Sequence, residues 1–193
     1  LVIDNRPGAS STIGTDMTAK AAPDGYTLVL ITTTHTVNPS LIAKLPYDTV
    51  KDFAPVSLVV SQPNILVVHP SVAAKSVREL VALAKAKPNS MNFASGGNGS
   101  SPHLSGELFK IVAGVQITHI PYKGSGPGVT DLLGGHVQMM FAGPLALEQQ
   151  IKSGRVRALA VADKRRSVVL PDVPTMTEAG FANNPTEWWH YSW

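Results

Sequence analysis

The chain has 193 residues, 44% of them hydrophobic and 15% charged, with a formal net charge of +3. That length allows one domain or two small lobes with a buried core. The absence of cysteine excludes disulfides, zinc–thiolate sites and a cysteine nucleophile, and at a mean hydropathy of +0.08 no apolar run is long enough to span a membrane. Basic residues are scattered except for Lys164-Arg165-Arg166, which lacks interleaved aromatics and reads as a solvated turn, so no nucleic-acid partner is expected.

Leu1 to Ile3 reads as the end of a strand with no initiator methionine or signal peptide before it, which suggests that an upstream part is missing. Asn5-Arg6-Pro7-Gly8 is a turn, and Ser11 to Ala22 a helix closed by Pro23-Asp24-Gly25. Tyr26 to Ile31 is a near-continuous apolar run of strand length, which suggests burial on both faces. Thr32-Thr33-Thr34-His35 follows at its carboxyl end, where the threonines offer hydroxyls to a ligand or simply reflect strand propensity. Asn38 suits the cap of a short helix with Pro39 at its first position. Phe53 to Val60 and Asn64 to Val68 read as strands, and Ser76-Val77-Arg78-Glu79 as a capping box opening a helix that Pro88 stops. Further strands are expected over Thr118 to Pro121, Val137 to Phe141 and Val156 to Val161, with helices over Val129 to Leu133 and Leu145 to Lys152. Strands alternating with helices predict an α/β protein with mainly parallel sheets.

Asn92 to Leu104 is the most informative stretch. It reads as a strand, the glycine-rich turn Ser95-Gly96-Gly97-Asn98-Gly99-Ser100, and a helix capped by Ser101 with Pro102 at its first position. The free N–H groups of a helix start, beside glycines that let a ligand approach the backbone, suit an anion. The turn is neither a dinucleotide fingerprint nor a P-loop nor a serine-hydrolase elbow, because the third glycine, the Gly-Lys-Ser/Thr and the Gly-x-Ser-x-Gly are all missing. Lys123-Gly124-Ser125-Gly126 offers an ammonium and backbone donors to an anion, and equally reads as a plain turn that needs glycine. His103 lies beside the proposed site or simply faces solvent. No base, nucleophile or metal set accompanies these loops, so the pattern points to holding an anion, with no cofactor and no catalysis.

The runs Asn5-Arg6-Pro7-Gly8-Ala9, Ala21-Ala22-Pro23-Asp24-Gly25-Tyr26, Phe93-Ala94-Ser95-Gly96-Gly97-Asn98-Gly99-Ser100, Pro121-Tyr122-Lys123-Gly124-Ser125-Gly126-Pro127, Asp131-Leu132-Leu133-Gly134-Gly135 and Leu170-Pro171-Asp172-Val173-Pro174-Thr175 resemble the Bug family, the solute-binding proteins of tripartite tricarboxylate transporters. The resemblance implies a type II periplasmic binding-protein fold whose two lobes close on a small carboxylate and deliver it to membrane permease subunits. It implies a monomeric, periplasmic protein. The first lobe would comprise residues 1–62, incomplete here. Residues 63–162 would form the second lobe, and 163–193 would return to the first and end in a divergent tail. Thr33 and Thr34 would face the ligand from the first lobe. Ser95, Gly96, Asn98, Gly99, Ser100, Ser101, Lys123, Gly124 and Ser125 would face it from the second.

Three departures from the family pattern stand out. An earlier strand and a Pro-Gly-Gly loop that help bind the ligand carboxylate have no match. Where the family often has Phe-Asp, this chain has Phe141-Ala142-Gly143, which favours a ligand without an amino group. The family pattern is expected to stop near Phe181, and Met176 to Trp193 resembles the Glu-x-x-His segment of D-alanyl-D-alanine dipeptidases, with Glu187 as base and His190 as zinc ligand, although that family's upstream His-and-Asp motif is absent. A zinc dipeptidase remnant or fusion is therefore the alternative reading of the tail.

Overall fold

The structure, a computed structural model, describes residues 2–181. Its centre is a five-stranded sheet of order β3-β2-β4-β1-β5, built from β1 (Asn64–Val68), β2 (Asn92–Ser95), β3 (Thr118–Pro121), β4 (Met139–Ala142) and β5 (Arg157–Ala162). β2 pairs in parallel with β3 and β4, whereas β1 is antiparallel to β4 and β5. Four strands therefore run one way and β1 alone runs back, in line with the mainly parallel expectation.

The apolar run Ile65-Leu66-Val67-Val68 is fully buried because helices cover both faces of the sheet. Alternation along each strand sends Leu66, Val68, Phe93 and Phe141 to one face. There they pack on α3 (Val77–Ala86) and α4 (Ser101–Ala113) through Leu80, Ala84 and Phe109. Ile65, Val67, Ala94 and Met140 point the other way and meet Leu132 of α5 (Ser125–Leu133) and Leu147 of α6 (Pro144–Lys152). The capping box forms at α3: Ser76 Oγ accepts from the Glu79 N–H at 3.2 Å, and Glu79 Oε2 accepts from the Lys75 N–H at 2.7 Å. After β5 the chain folds back along its edge, where the Val161 N–H donates to Pro174 O at 2.8 Å and the Met176 N–H to Val161 O at 2.9 Å.

Ahead of the sheet, a 3-10 turn at Ala9–Ser11 leads into α1 (Thr12–Ala19), and α2 (Thr33–Leu41) follows. Asn38 Nδ2 of α2 donates to Ser10 O at 2.9 Å and ties the two together. His35, Tyr47 and Phe53 form a small ring cluster beneath α2.

Several expectations are corrected. The runs at 26–31 and 53–60, and the apolar start of the chain, form no strand: Tyr26 is 92% exposed and Leu58 76%. A strand is fixed by its ladder, and none of the described residues supplies one to these runs. α2 starts at Thr33 and not at Pro39, because Thr32 is already the extended cap residue and Pro39 lies within the helix. α5 starts at Ser125 and not at Val129, since glycines and a proline are tolerated in a first turn. The cap of α4 is Ser100, one residue before the expected Ser101.

Candidate functional site

Because β2, β3 and β4 are neighbouring parallel strands, the helices that follow them all start at one edge of the sheet. α4, α5 and α6 point their amino-terminal ends there, each presenting the positive end of its dipole. The reversal of β1 brings its first residue, Asn64, to the same edge. This is the end of an α/β sheet at which ligands bind.

The two glycine-rich loops touch. The Tyr122 N–H donates to Ser95 O at 3.0 Å and the Gly124 N–H to Gly96 O at 3.2 Å, extending the β2–β3 pairing into both loops. A Cβ on Gly96 would stand 3.1 Å from Ser125 Oγ and 3.3 Å from Ser125 N, so a side chain there would press the two loops apart by a few tenths of an ångström. Gly99 adopts a φ of +75°, and a Cβ there would lie 2.8 Å from Leu41 Cδ1. α2 thus packs over the crest of the loop through Val37, Asn38 and Leu41. Asn38 Oδ1 is buried beside Gly99 without a hydrogen-bond partner.

The expected site residues fall into distinct places. Asn98 and Lys123 are exposed at the edge, with Gly124 (φ +95°) and Ser125 at the start of α5. Ser100 caps α4, its Oγ accepting from the His103 N–H at 3.4 Å. Ser101 Oγ accepts from Asn64 Nδ2 at 2.6 Å, and the same amide reaches Ser105 Oγ at 3.0 Å. Ser95 is fully buried, its hydroxyl 2.6 Å from His119 Nε2 while accepting from the Gly97 N–H at 3.1 Å. Its side chain builds the loop from below and does not reach the surface. Thr33 and Thr34 form the first turn of α2, where the buried Thr34 hydroxyl accepts from Thr32 Oγ1 at 3.2 Å. They lie about one helical turn before Val37 and Asn38, which pack against Gly99.

Sequence reasoning missed Asn64, Gln62 and the partnership of His103 with His119. Gln62 lies against Gly143 at the start of α6, where a Cβ would come within 2.6 Å of its Nε2. Ala142, at the position of the family's frequent aspartate, is buried in the sheet core. His119 is held down to about 4 by burial and then by the neighbouring His103. Burial likewise lowers His103, with Lys110 acting the same way and Glu107 opposing. Tyr122, which donates to Asp131 Oδ2 at 2.5 Å, is pushed up to about 12 by burial and then by that carboxylate. Among the described residues no group of three His, Asp or Glu is placed to hold a metal ion. Glu187 and His190 lie outside the described residues.

The pattern of the tripartite tricarboxylate transporter family receptor matches residues 1–191. The chain belongs to that family. The match runs on to residue 191, so the family pattern does not stop near Phe181 as expected. BugT of Bordetella pertussis is 45% identical over 183 residues, covering 94% of this chain and 56% of BugT. Among solved structures, R. palustris Rpa4515 with adipate superposes with a TM-score of 0.92 at 37% identity, covering 96% of this chain and 62% of that one. The periplasmic binding protein BugD gives 0.89 at 36% identity, covering 94% and 61%. The fold is accordingly that of a periplasmic binding protein in part, as this family member spans little more than half the length of those relatives.

Proposed function

We propose that the protein captures a small organic carboxylate in the periplasm and presents it to the membrane permease subunits of a tripartite tricarboxylate transporter, acting as a monomeric binding protein and not as an enzyme. The observation that carries this reading is the convergence of three helix starts and two glycine-rich loops on one sheet edge, a donor-rich corner suited to an anion. Family membership and the adipate bound by the Rpa4515 relative support it. Residues 1–62 would belong to one lobe and 63–162 to the other, with 163–193 returning to the first after the strip at 174–176 leaves β5. Gly96, Asn98, Gly99, Ser100, Ser101, Lys123, Gly124 and Ser125 would line the second lobe's half of the site, with Ser95 beneath them, and Thr33 and Thr34 would contribute from the first.

Buried Ala142 places no carboxylate where an amino group would need one, so the preferred ligand carries no ammonium. A thermal-shift screen with mono-, di- and tricarboxylates and acidic amino acids tests this. Adipate or a related dicarboxylate should raise Tm by several degrees at 100 times its Kd, about 2.7 kcal/mol of stabilisation. A shift with glutamate or aspartate but none with plain dicarboxylates would overturn the ligand class, and no shift with any carboxylate would overturn the function.

A further inference from the structure

Two imidazoles underlie the glycine-rich loop, and the carboxylate reading makes no use of them. The Gly99 N–H donates to His103 Nδ1 at 3.0 Å. An N–H can donate only to an unprotonated ring nitrogen, so His103 is neutral and carries its proton on Nε2. Two residues earlier, Gly97 is held through Ser95, whose Oγ accepts from the Gly97 N–H at 3.1 Å and donates to Gly97 O at 3.2 Å. With the serine proton so placed, His119 donates its Nε2–H to Ser95 Oγ at 2.6 Å. The histidine rings lie 4.3 Å apart, and Phe93 covers the far side of His119 at 4.7 Å. The charged groups facing the pair are Glu107 and Lys110 of α4. Both Glu107 oxygens are taken by Lys110 Nζ, at 2.8 and 2.7 Å, and that ammonium lies 5.9 Å above the Phe93 ring. A proton on either ring would meet the other ring and Lys110, with the one nearby acid already paired.

We infer that His103 and His119 are positioning residues that, as a neutral, closely packed pair, hold Gly97 and Gly99 in the anion-binding shape of the loop, so that protonating His103 releases Gly99 and weakens carboxylate capture. The inference deepens the proposed function, and only its binding half rests on it. Its sign is distinctive. Added positive charge by itself would tighten an anion's binding, whereas loss of the Gly99 anchor loosens it. Protonation of His119 at Nδ1 keeps its bond to Ser95 but sets a charge against His103, so the two rings resist titration together.

The test uses the protein with three residues at position 103 (His, Asn and Ala), adipate as probe, calorimetry from pH 7.5 to 4.5, and NMR of the Gly99 amide. Asparagine places a non-titrating carbonyl oxygen near the position of Nδ1, and any protonation of adipate itself affects all three proteins alike. At pH 7.5, His103→Ala should bind about tenfold more weakly than the parent, and His103→Asn should recover most of that loss. Between pH 7.5 and 4.5, the parent should lose at least tenfold more affinity than His103→Asn. The Gly99 amide should exchange slowly at pH 7.5 in the parent and in His103→Asn, and faster in His103→Ala. Identical pH profiles for parent and His103→Asn would overturn the inference, as would equal Gly99 protection in parent and His103→Ala. If adipate binds none of the three, the carboxylate reading fails and Gly99 exchange alone decides the positioning role.

Discussion

Asn64 offers a way to separate the stability of the binding corner from its affinity for an anion. Its amide spends both protons on Ser101 Oγ and Ser105 Oγ, at 2.6 and 3.0 Å, pinning the first turn of α4 to the start of β1. In Asn64→Asp the two hydroxyls can turn and donate to the carboxylate, so both hydrogen bonds survive in reversed polarity. A negative charge beside a helix amino terminus is itself favourable by about 0.3–1 kcal/mol. The variant should therefore unfold at the same urea concentration as the parent, or slightly higher. A ligand carboxylate on the Ser101 N–H would sit about 7 Å from the new charge, and repulsion at an effective dielectric of about 20–40 amounts to about 1–2 kcal/mol. That corresponds to roughly a tenfold loss of affinity by calorimetry, partly recovered in 1 M salt as screening shortens the reach of the charge. Asn64→Leu is the complement. It removes both bonds and should cost about 1–2 kcal/mol of stability. If Asn64→Asp stays folded and binds dicarboxylates as tightly as the parent, the anion does not sit at the start of α4.

Gly106→Ala should destabilise by about 1–3 kcal/mol in urea denaturation, because a Cβ there would lie 2.7 Å from Cδ2 and Cζ of the fully buried Phe93. Helix propensity alone predicts a gain of about 1 kcal/mol, so a stabilised variant would refute the packing argument. Gly143→Ala should push Gln62 aside at little cost in stability. It should lower carboxylate affinity by about 2–10-fold, Gln62→Ala should do the same, and the double variant should be no worse than either. Additive losses would show that the two act separately. Acid should destabilise the ligand-free protein. Below pH 6.5 an unfolded histidine takes up a proton that folded His119 refuses until about 4, so stability is full above 6.5 and declines as the pH falls towards 4. The displacement sets an upper limit of about 3 kcal/mol, and half-burial reduces it to about 1–2 kcal/mol. His119→Gln should flatten that slope in chemical denaturation, and an unchanged slope would refute the assignment.

The loops were legible because their signals are local. Glycine, serine and proline after a short strand mark a turn and a helix start wherever the rest of the chain goes. Even so, the cap fell one residue off: Ser100 and Ser101 suit the role equally, and what separates them is the bond of Ser101 to Asn64, 37 residues away. Asn64, Gln62 and the link of His119 to Ser95 were invisible for the same reason, since nothing in a sequence tells which strand will lie beside which. Periodicity located β1 but was silent on its direction. It also cast Tyr26 to Ile31 as a buried strand, whereas burial depends on neighbours, and the described residues provide none there. The threonines at 32–34 misled through strand propensity, where the outcome was a helix cap and first turn.

Asn64 and Ala162 are paired partners in the β1–β5 ladder, so the chain enters the sheet and leaves it through adjacent positions. Everything between them forms a closed excursion, anchored by a double strap at the edge where the glycine loops lie. Any swing of the sheet against the flanking segments would pivot on that strap. With the fulcrum close to the ligand corner, the lever arm is short. A given rotation would carry the far end of the sheet through a wide arc while shifting the loops only slightly, so the corner would keep its shape.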